Sequence, residues 1–329
     1  MRTREEQEAI NKACKYHPNF RKELQKLVND TEVKLGEIDT SQITDMSYLF
    51  EVSKRKRTDF SGIETWDVSN VTDMSQMFWE CENFNQPLNN WDVSSVKDMS
   101  NMFWGCKQFN QDISSWDVAN VTNMSDMFDG CRAFNQDLSS WNVSKVTDMS
   151  HMFWRCENFN QPLNNWDVSS VENMGVMFWG CHQFNQDISS WDVSNVKDMS
   201  LMFYRCLNFN QDIGSWNVAK VSNMRGMFAD CKKFNQDISK WDTSNVKDMY
   251  GLFGDCKSFN QNLNDWVIRE NCNCSNSFKG SNLSYDNVKD AFTKEQLLEC
   301  GSEKIIDALN NEKKQVKVQE QKVTKGRGR

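Results

Sequence analysis

Glycine, proline and histidine are scarce: the 329-residue chain holds 14, 3 and 3 of them. No Gly-rich loop stands ready to cradle a phosphate, which removes the commonest nucleotide-binding motifs. His17, His151 and His182 lie far apart in the chain, with no serine or cysteine nucleophile at a strained turn beside them. Nothing therefore suggests a hydrolytic triad. The aspartates recur singly and regularly, so no acid and base are held at one cleft. Neither an enzyme nor a cofactor is expected. No apolar segment is long enough to cross a membrane, and no basic start leads into an apolar run as in a signal peptide. The expectation is a soluble chain, leaning intracellular. The formal charge is −8, and a short basic C-terminal stretch gives only weak, salt-sensitive attraction to phosphates, so nucleic acid is not an expected partner.

What the chain has instead is a period. Trp66, Trp91, Trp116, Trp141, Trp166, Trp191, Trp216, Trp241 and Trp266 fall 25 residues apart, and Cys81 to Cys256 form a second column at the same spacing. Phe-Asn-Gln keeps step from Phe84 to Phe259. Such a period marks a repeat architecture in which each unit buries its apolar face only against its neighbours. Residues 81–96 and 156–171 are identical, so three units were duplicated together.

Two hydrophobic rhythms alternate inside the unit. Leu88, Trp91, Val93 and Val96 predict a short strand, with Asp92 outward between Trp and Val. Val96, Met99, Met102, Phe103 and Cys106 crowd onto one face of a predicted short helix, capped by Asp98 or Ser95 and ended near Gly105. Phe109 turns inward, and Asn110 and Gln111 follow at a bend where stacked amides can satisfy the backbone. The expected fold is an α/β repeat solenoid, leucine-rich-repeat-like, with about ten stacked turns of strand, bend and helix about 4.8 Å apart between helical caps.

Along the chain, residues 1–34 read as a helical N-terminal cap in which Thr3 and Glu6 make a capping box. Residues 35–282 are the repeats, with a degenerate first turn (35–62), regular turns (63–264) and a fading last turn (265–282). Serines at 277 and 281 replace apolar residues, and stacking is expected to end there. The charged insertion Lys54, Arg55, Lys56 and Arg57 is expected to be a solvated loop. Residues 283–310 read as a helical C-terminal cap with a second capping box, Thr293 and Gln296. Residues 311–329 form a basic tail expected to be disordered. The methionines are packing residues and the column cysteines reduced thiols. Cys272 and Cys274 make a C-x-C pair with no second pair near it, so no metal site is expected.

The stretch TDMSQMFWECENFNQPLNNWDVS from Thr72 to Ser94, its successors, and IDTSQITDMSYLF from Ile38 to Phe50 resemble the bacterial BspA-like leucine-rich-repeat surface proteins. The resemblance is to their 25-residue variety, a domain of unknown function abundant in mycoplasma surface lipoproteins. It covers about residues 35–280 and implies a leucine-rich-repeat-like solenoid used for binding, in some members adhesion at a cell surface.

Two surfaces offer themselves. Asp67, Asp92, Asp117, Asp167, Asp192 and Asp242 share the outward strand place, with asparagines at 142 and 217, and make an acidic face for a basic protein. Trp79, Trp104, Trp154, Trp179 and Tyr204 share a place beside the buried arc of the predicted helix, where Asp129, Ala229 and Gly254 interrupt them. An exposed aromatic row suits protein or sugar contact; the alternative is that each ring covers its own helix. The expected function is a non-enzymatic protein-interaction scaffold. A carbohydrate- or host-surface-binding adhesin using the aromatic row is the second reading.

Overall fold

The computed structural model describes residues 2–52 and 56–326, with side chains as far as residue 314. Among these residues, α-helices occur only at the two ends. Helices α1 (Arg4–Ala13) and α2 (Arg21–Asn29) precede the repeats, and α3 (Lys294–Glu299) and α4 (Glu303–Gly326) follow them. Both expected capping boxes are present, Thr3 with Glu6 on α1 and Thr293 with Gln296 on α3.

Between the helices, 25-residue turns lie parallel on one another. Single parallel bridges join Asp45 to Asp73, Asp73 to Asp98, and so on to Asp248 with Asn273. The bridges fall at the Asp98 place and not at Trp-Asp-Val, where the strand was expected. Directly stacked carboxylates repel. From residue 98 onward this column alternates Asp and Asn, and Asn223 Nδ2 donates to Asp198 Oδ2 at 2.9 Å.

The helix expected over residues 96–106 is absent, for a reason visible in the hydrogen bonds. The amides of Met99, Asn101, Phe103 and Gly105 donate to carbonyls of the next turn (Asn123, Ser125, Met127, Asp129) at 2.7–3.1 Å. Those of Met102, Trp104 and Cys106 close three-residue turns onto Met99, Asn101 and Phe103. Alternate amides therefore leave the strand-like path for the neighbouring turn, and an i to i−4 ladder cannot form. Two left-handed residues per unit accomplish this: Asn101 and Gly105 (φ 56° and 74°), and later His151 and Arg155 (φ 57° and 56°). The helical periodicity nonetheless picked the inward set correctly. Met99, Met102, Phe103 and Cys106 are all buried, because a chain of three-residue turns brings i and i+3 to one side much as a helix does.

The two invariant columns supply polar donors to an apolar core. Trp91 Nε1 donates to the Ile63 carbonyl, and Trp116 Nε1 to that of Leu88, each 28 residues earlier. Cys106, Cys131, Cys156, Cys181, Cys206 and Cys231 do the same with Sγ to the phenylalanine carbonyl 28 residues earlier, at 2.8–3.2 Å. These carbonyls also accept an amide of their own turn, so the bonds satisfy the buried indole and thiol hydrogens, and both residue types are held by the turn below as well as by their own. The cysteines are free thiols. Burial pushes those of Cys106, Cys131 and Cys181 well above the ordinary range. The amide ladder is present too: Asn110 Oδ1 accepts from the Asn135 amide at 2.9 Å, and Gln136 Nε2 donates to the Asn110 carbonyl at 3.0 Å.

The ends differ from expectation in four respects. Helix α1 buries none of its residues, so α2, through Leu24 and Val28, does the covering. In the basic insertion Lys54 and Arg55 lie outside the described residues, while Arg57 is 5% exposed and tucked beneath α2 rather than solvated. Ser277 does not end the stack: its Oγ donates to the Met249 carbonyl at 2.6 Å, and the ladder continues as Phe278 N to Cys300 O at 3.0 Å. The basic segment after residue 310 is helical through Gly326, a continuation of α4.

Candidate functional site

Most units contain three Asp-x-Ser or equivalent triplets, each making the same local turn, while proline takes the third place at 87 and 162. Asp92 Oδ1 accepts from the Ser94 amide at 3.0 Å, Asp98 Oδ1 from Ser100 at 2.8 Å and Asp112 Oδ1 from Ser114 at 2.9 Å. A short acceptor that bonds its own backbone two residues on fixes a bend. Only the first of these columns was expected to form a face. The triplet spacing that marks the other two stands openly in the sequence.

Asp92, Asp117, Asp167, Asp192 and Asp242 are exposed, and Asp67 is half-buried. One carboxylate oxygen of each is engaged in its turn, so the carboxylates are held in place. Hydrogen bonds from Ser194 and Ser244, side chain first and then amide, hold Asp192 and Asp242 below the usual carboxylate range. They remain ionised at neutral pH. Asn142 and Asn217 make the same bond to Ser144 and Ala219 at 3.2 Å, so the turn does not need the charge. The first aspartate is covered: Asn11 Nδ2 on α1 donates to Asp67 Oδ2 at 3.0 Å, and Gln7 Nε2 donates to the Thr65 carbonyl at 2.9 Å. A cleft of about 680 Å³ lies between α1 and Asp67, Asn70 and Asp92.

The aromatic row is half-buried and falls into two groups on either side of Asp129. Trp79 and Trp104 stack with ring centroids 5.4 Å apart. Trp154 lies 5.4 Å from Trp179, which meets Tyr204 edge-on at 4.8 Å. Arg155 lies over the Trp154 ring at 5.3 Å and Arg205 over Tyr204 at 5.8 Å. The rings therefore spend much of their faces on one another and on guanidinium groups.

Asp129, at the break between the two groups, is only 5% exposed. Burial raises its carboxyl to about 7, while a hydrogen bond from the Trp104 side chain and the charge of Arg155 pull the other way. Its Oδ2 and the Nε1 of Trp154 are buried without partners. A carboxyl with an ordinary value of 3.8 unfolded and about 7 folded favours the neutral form in the fold. Its stabilising contribution is complete below about pH 4 and is lost as the pH climbs through about 7. Between pH 5 and pH 8 the wild type is expected to lose about 2–3 kcal/mol more than Asp129→Asn. Urea midpoints of both proteins at the two pH values measure this, and parallel shifts would show that Asp129 is not the titrating group.

Among the described residues no group of three or more metal-ligating side chains converges, and no helix is long and apolar enough to cross a membrane. A family model described as "Mycoplasma protein of unknown function, DUF285" matches residues 19–137, 89–191, 110–212 and 177–291. No curated protein and no solved structure matches the chain.

Proposed function

Because this chain belongs to the mycoplasma repeat family of unknown function DUF285, we propose that it is a leucine-rich-repeat-like solenoid of the BspA-like kind, working as a non-enzymatic scaffold for a basic protein partner. The observation that carries this reading is the acidic column. Asp92, Asp117, Asp167, Asp192 and Asp242 are exposed, and each is oriented by a bond to its own backbone. Carboxylates already held in place lose little freedom when a basic partner docks, and a row of one sign speeds its approach. The aromatic row supports a sugar-binding adhesin less well. A sugar lies flat on an indole face, and these faces are turned to neighbouring rings.

Asparagine already stands in this column at 142 and 217, so changing Asp92, Asp117, Asp167 and Asp192 together to Asn removes the charge without removing the turns. The expected result is loss of salt-sensitive capture of basic proteins from the native source, while Trp104→Ser with Trp179→Ser retains it. Capture that survives the asparagine set, or a glycan-array signal lost only with the tryptophan pair, would reject the acidic face in favour of the rings.

A further inference from the structure

In the body of the stack, residues 99, 124, 149, 174, 199, 224 and 249 are all methionine; at the last turn the same place is Cys274. A second change accompanies it. The Phe203 amide donates to the Met227 carbonyl, Phe228 to Leu252, Phe253 to Ser277 and Phe278 to Cys300. Cys300 thus takes the next place in the other methionine column, although it belongs to the C-terminal cap at the end of α3. One methionine column becomes a thiol at Cys274, and the other, after Leu252 and Ser277, ends in a thiol at Cys300, where the stack meets its cap. Cys274 Sγ donates to the Gln296 carbonyl of the cap at 3.7 Å, the Cys300 amide donates to the same carbonyl at 2.9 Å, and both cysteines are 0% exposed. Cys106 to Cys231 give their thiol hydrogens to carbonyls 28 residues earlier in the stack, whereas Cys274 gives its hydrogen to a carbonyl of the cap.

We propose that Cys274 and Cys300 are a thiol modification site, forming a disulfide that latches the C-terminal helical cap onto the last turn. The nearby Cys300 side chain lowers the Cys274 thiol below its ordinary value, and the Cys274 side chain together with burial raises that of Cys300. Cys274 is therefore the nucleophile. Cys272, two residues away, is pushed up to about 12, chiefly by burial, and does not compete. With a peroxide as oxidant, the Cys274 sulfur attacks one oxygen, the O–O bond breaks, and a sulfenic acid and water form. Cys300 then gives up its proton and attacks the Cys274 sulfur; the S–O bond breaks and a second water leaves. Two thiols and one peroxide thus become one disulfide and two waters. Peroxide is small enough to enter as α3, only six residues long, opens locally.

The test treats the full reduced chain with one equivalent of hydrogen peroxide, alkylates it under denaturing conditions and maps the peptides. The expected result is a loss of two hydrogens, a cross-linked peptide joining Cys274 to Cys300, reversal by dithiothreitol, and slower amide exchange over residues 294–309 in the oxidised form. Cys274→Met, which restores the residue this column carries elsewhere, is expected to abolish the cross-link, and Cys272→Ala to keep it. A map that joins Cys272 to Cys300, or neighbours within the Cys81 to Cys256 column, overturns the proposal. So does peroxide that oxidises methionines while both thiols stay free, or a Cys274→Met protein that still loses the two hydrogens. The wild-type map decides by itself should a variant fail to fold.

Discussion

Phe153→Ala is expected to lower the free energy of unfolding by about 3–5 kcal/mol, more than any surface change in the molecule. Phe153 is fully buried. Its ring centroid lies 4.2 Å from Phe159, 5.7 Å from Phe128, 5.6 Å from Phe178 and 6.3 Å from Trp166. Truncation removes the transfer energy of the ring and leaves a cavity whose walls are fixed by backbone bonds to the turns on either side, so they collapse little. Every one of these ring partners lies in the same turn or an adjacent one. Amide exchange should therefore accelerate around residues 128–178 first, with both ends of the stack keeping their protection. Chemical denaturation read beside hydrogen exchange checks both parts. A loss below about 1 kcal/mol would show that the cavity closes, and uniform deprotection from end to end would show that the turns do not unfold as neighbours.

Arg57→Met is expected to detach the N-terminal cap and cost about 3 kcal/mol or more. Arg57 Nε donates to the Val28 carbonyl at 2.9 Å, and its Nη2 donates to the carbonyls of Asp30 and Val33, the latter at 3.1 Å. One guanidinium thus satisfies the C-terminal end of α2 and the loop after it, where helix carbonyls are left over and a cation is favoured. Burial lowers the guanidinium below its usual range, with Asp59 and Asp30 opposing, yet so strong a base stays charged. Methionine fills the volume but takes the Arg57 donor from the Val28 and Val33 carbonyls, at about 1–3 kcal/mol each, while the Asp30 carbonyl keeps the Val33 amide. Arg57→Lys should rescue little, because one ammonium lacks the planar fork. Exchange at Leu24 and Val28 reads the effect, and wild-type protection there in Arg57→Lys would refute the fork as the reason.

Much of the core was legible before any coordinates. The Trp, Met, Phe and Cys columns are inward, the Asn-Gln ladder satisfies the bend, and the two capping boxes sit where Thr3 and Thr293 start their helices. The local conformation was not legible. Met99, Met102, Phe103 and Cys106 fit a helix and a run of three-residue turns equally well, because both return every third or fourth side chain to one side. Asn101 and Arg155 in the left-handed region decide between them, and neither residue type advertises that conformation as glycine does. Of the two expectations for the aromatic row, an exposed contact surface or rings that cover the stack, its spacing alone could not choose. A helical wheel of one unit does not show that Trp79 lies against Trp104 or that Asp129 is buried beside Trp154.

The sequence by itself determined which side chains face inward and where one turn ends and the next begins, since a strict 25-residue spacing of apolar columns leaves each unit only its neighbours to bury against. Only the tertiary structure decided the destinations of the polar groups. Alternate amides cross to the next turn, Arg57 goes under α2, Asp129 is enclosed, and Cys274 reaches the Gln296 carbonyl of the C-terminal cap. Hydrophobic burial is non-directional and can be counted along a chain, whereas a hydrogen bond needs a partner at a fixed distance and angle, and here that partner belongs to another turn.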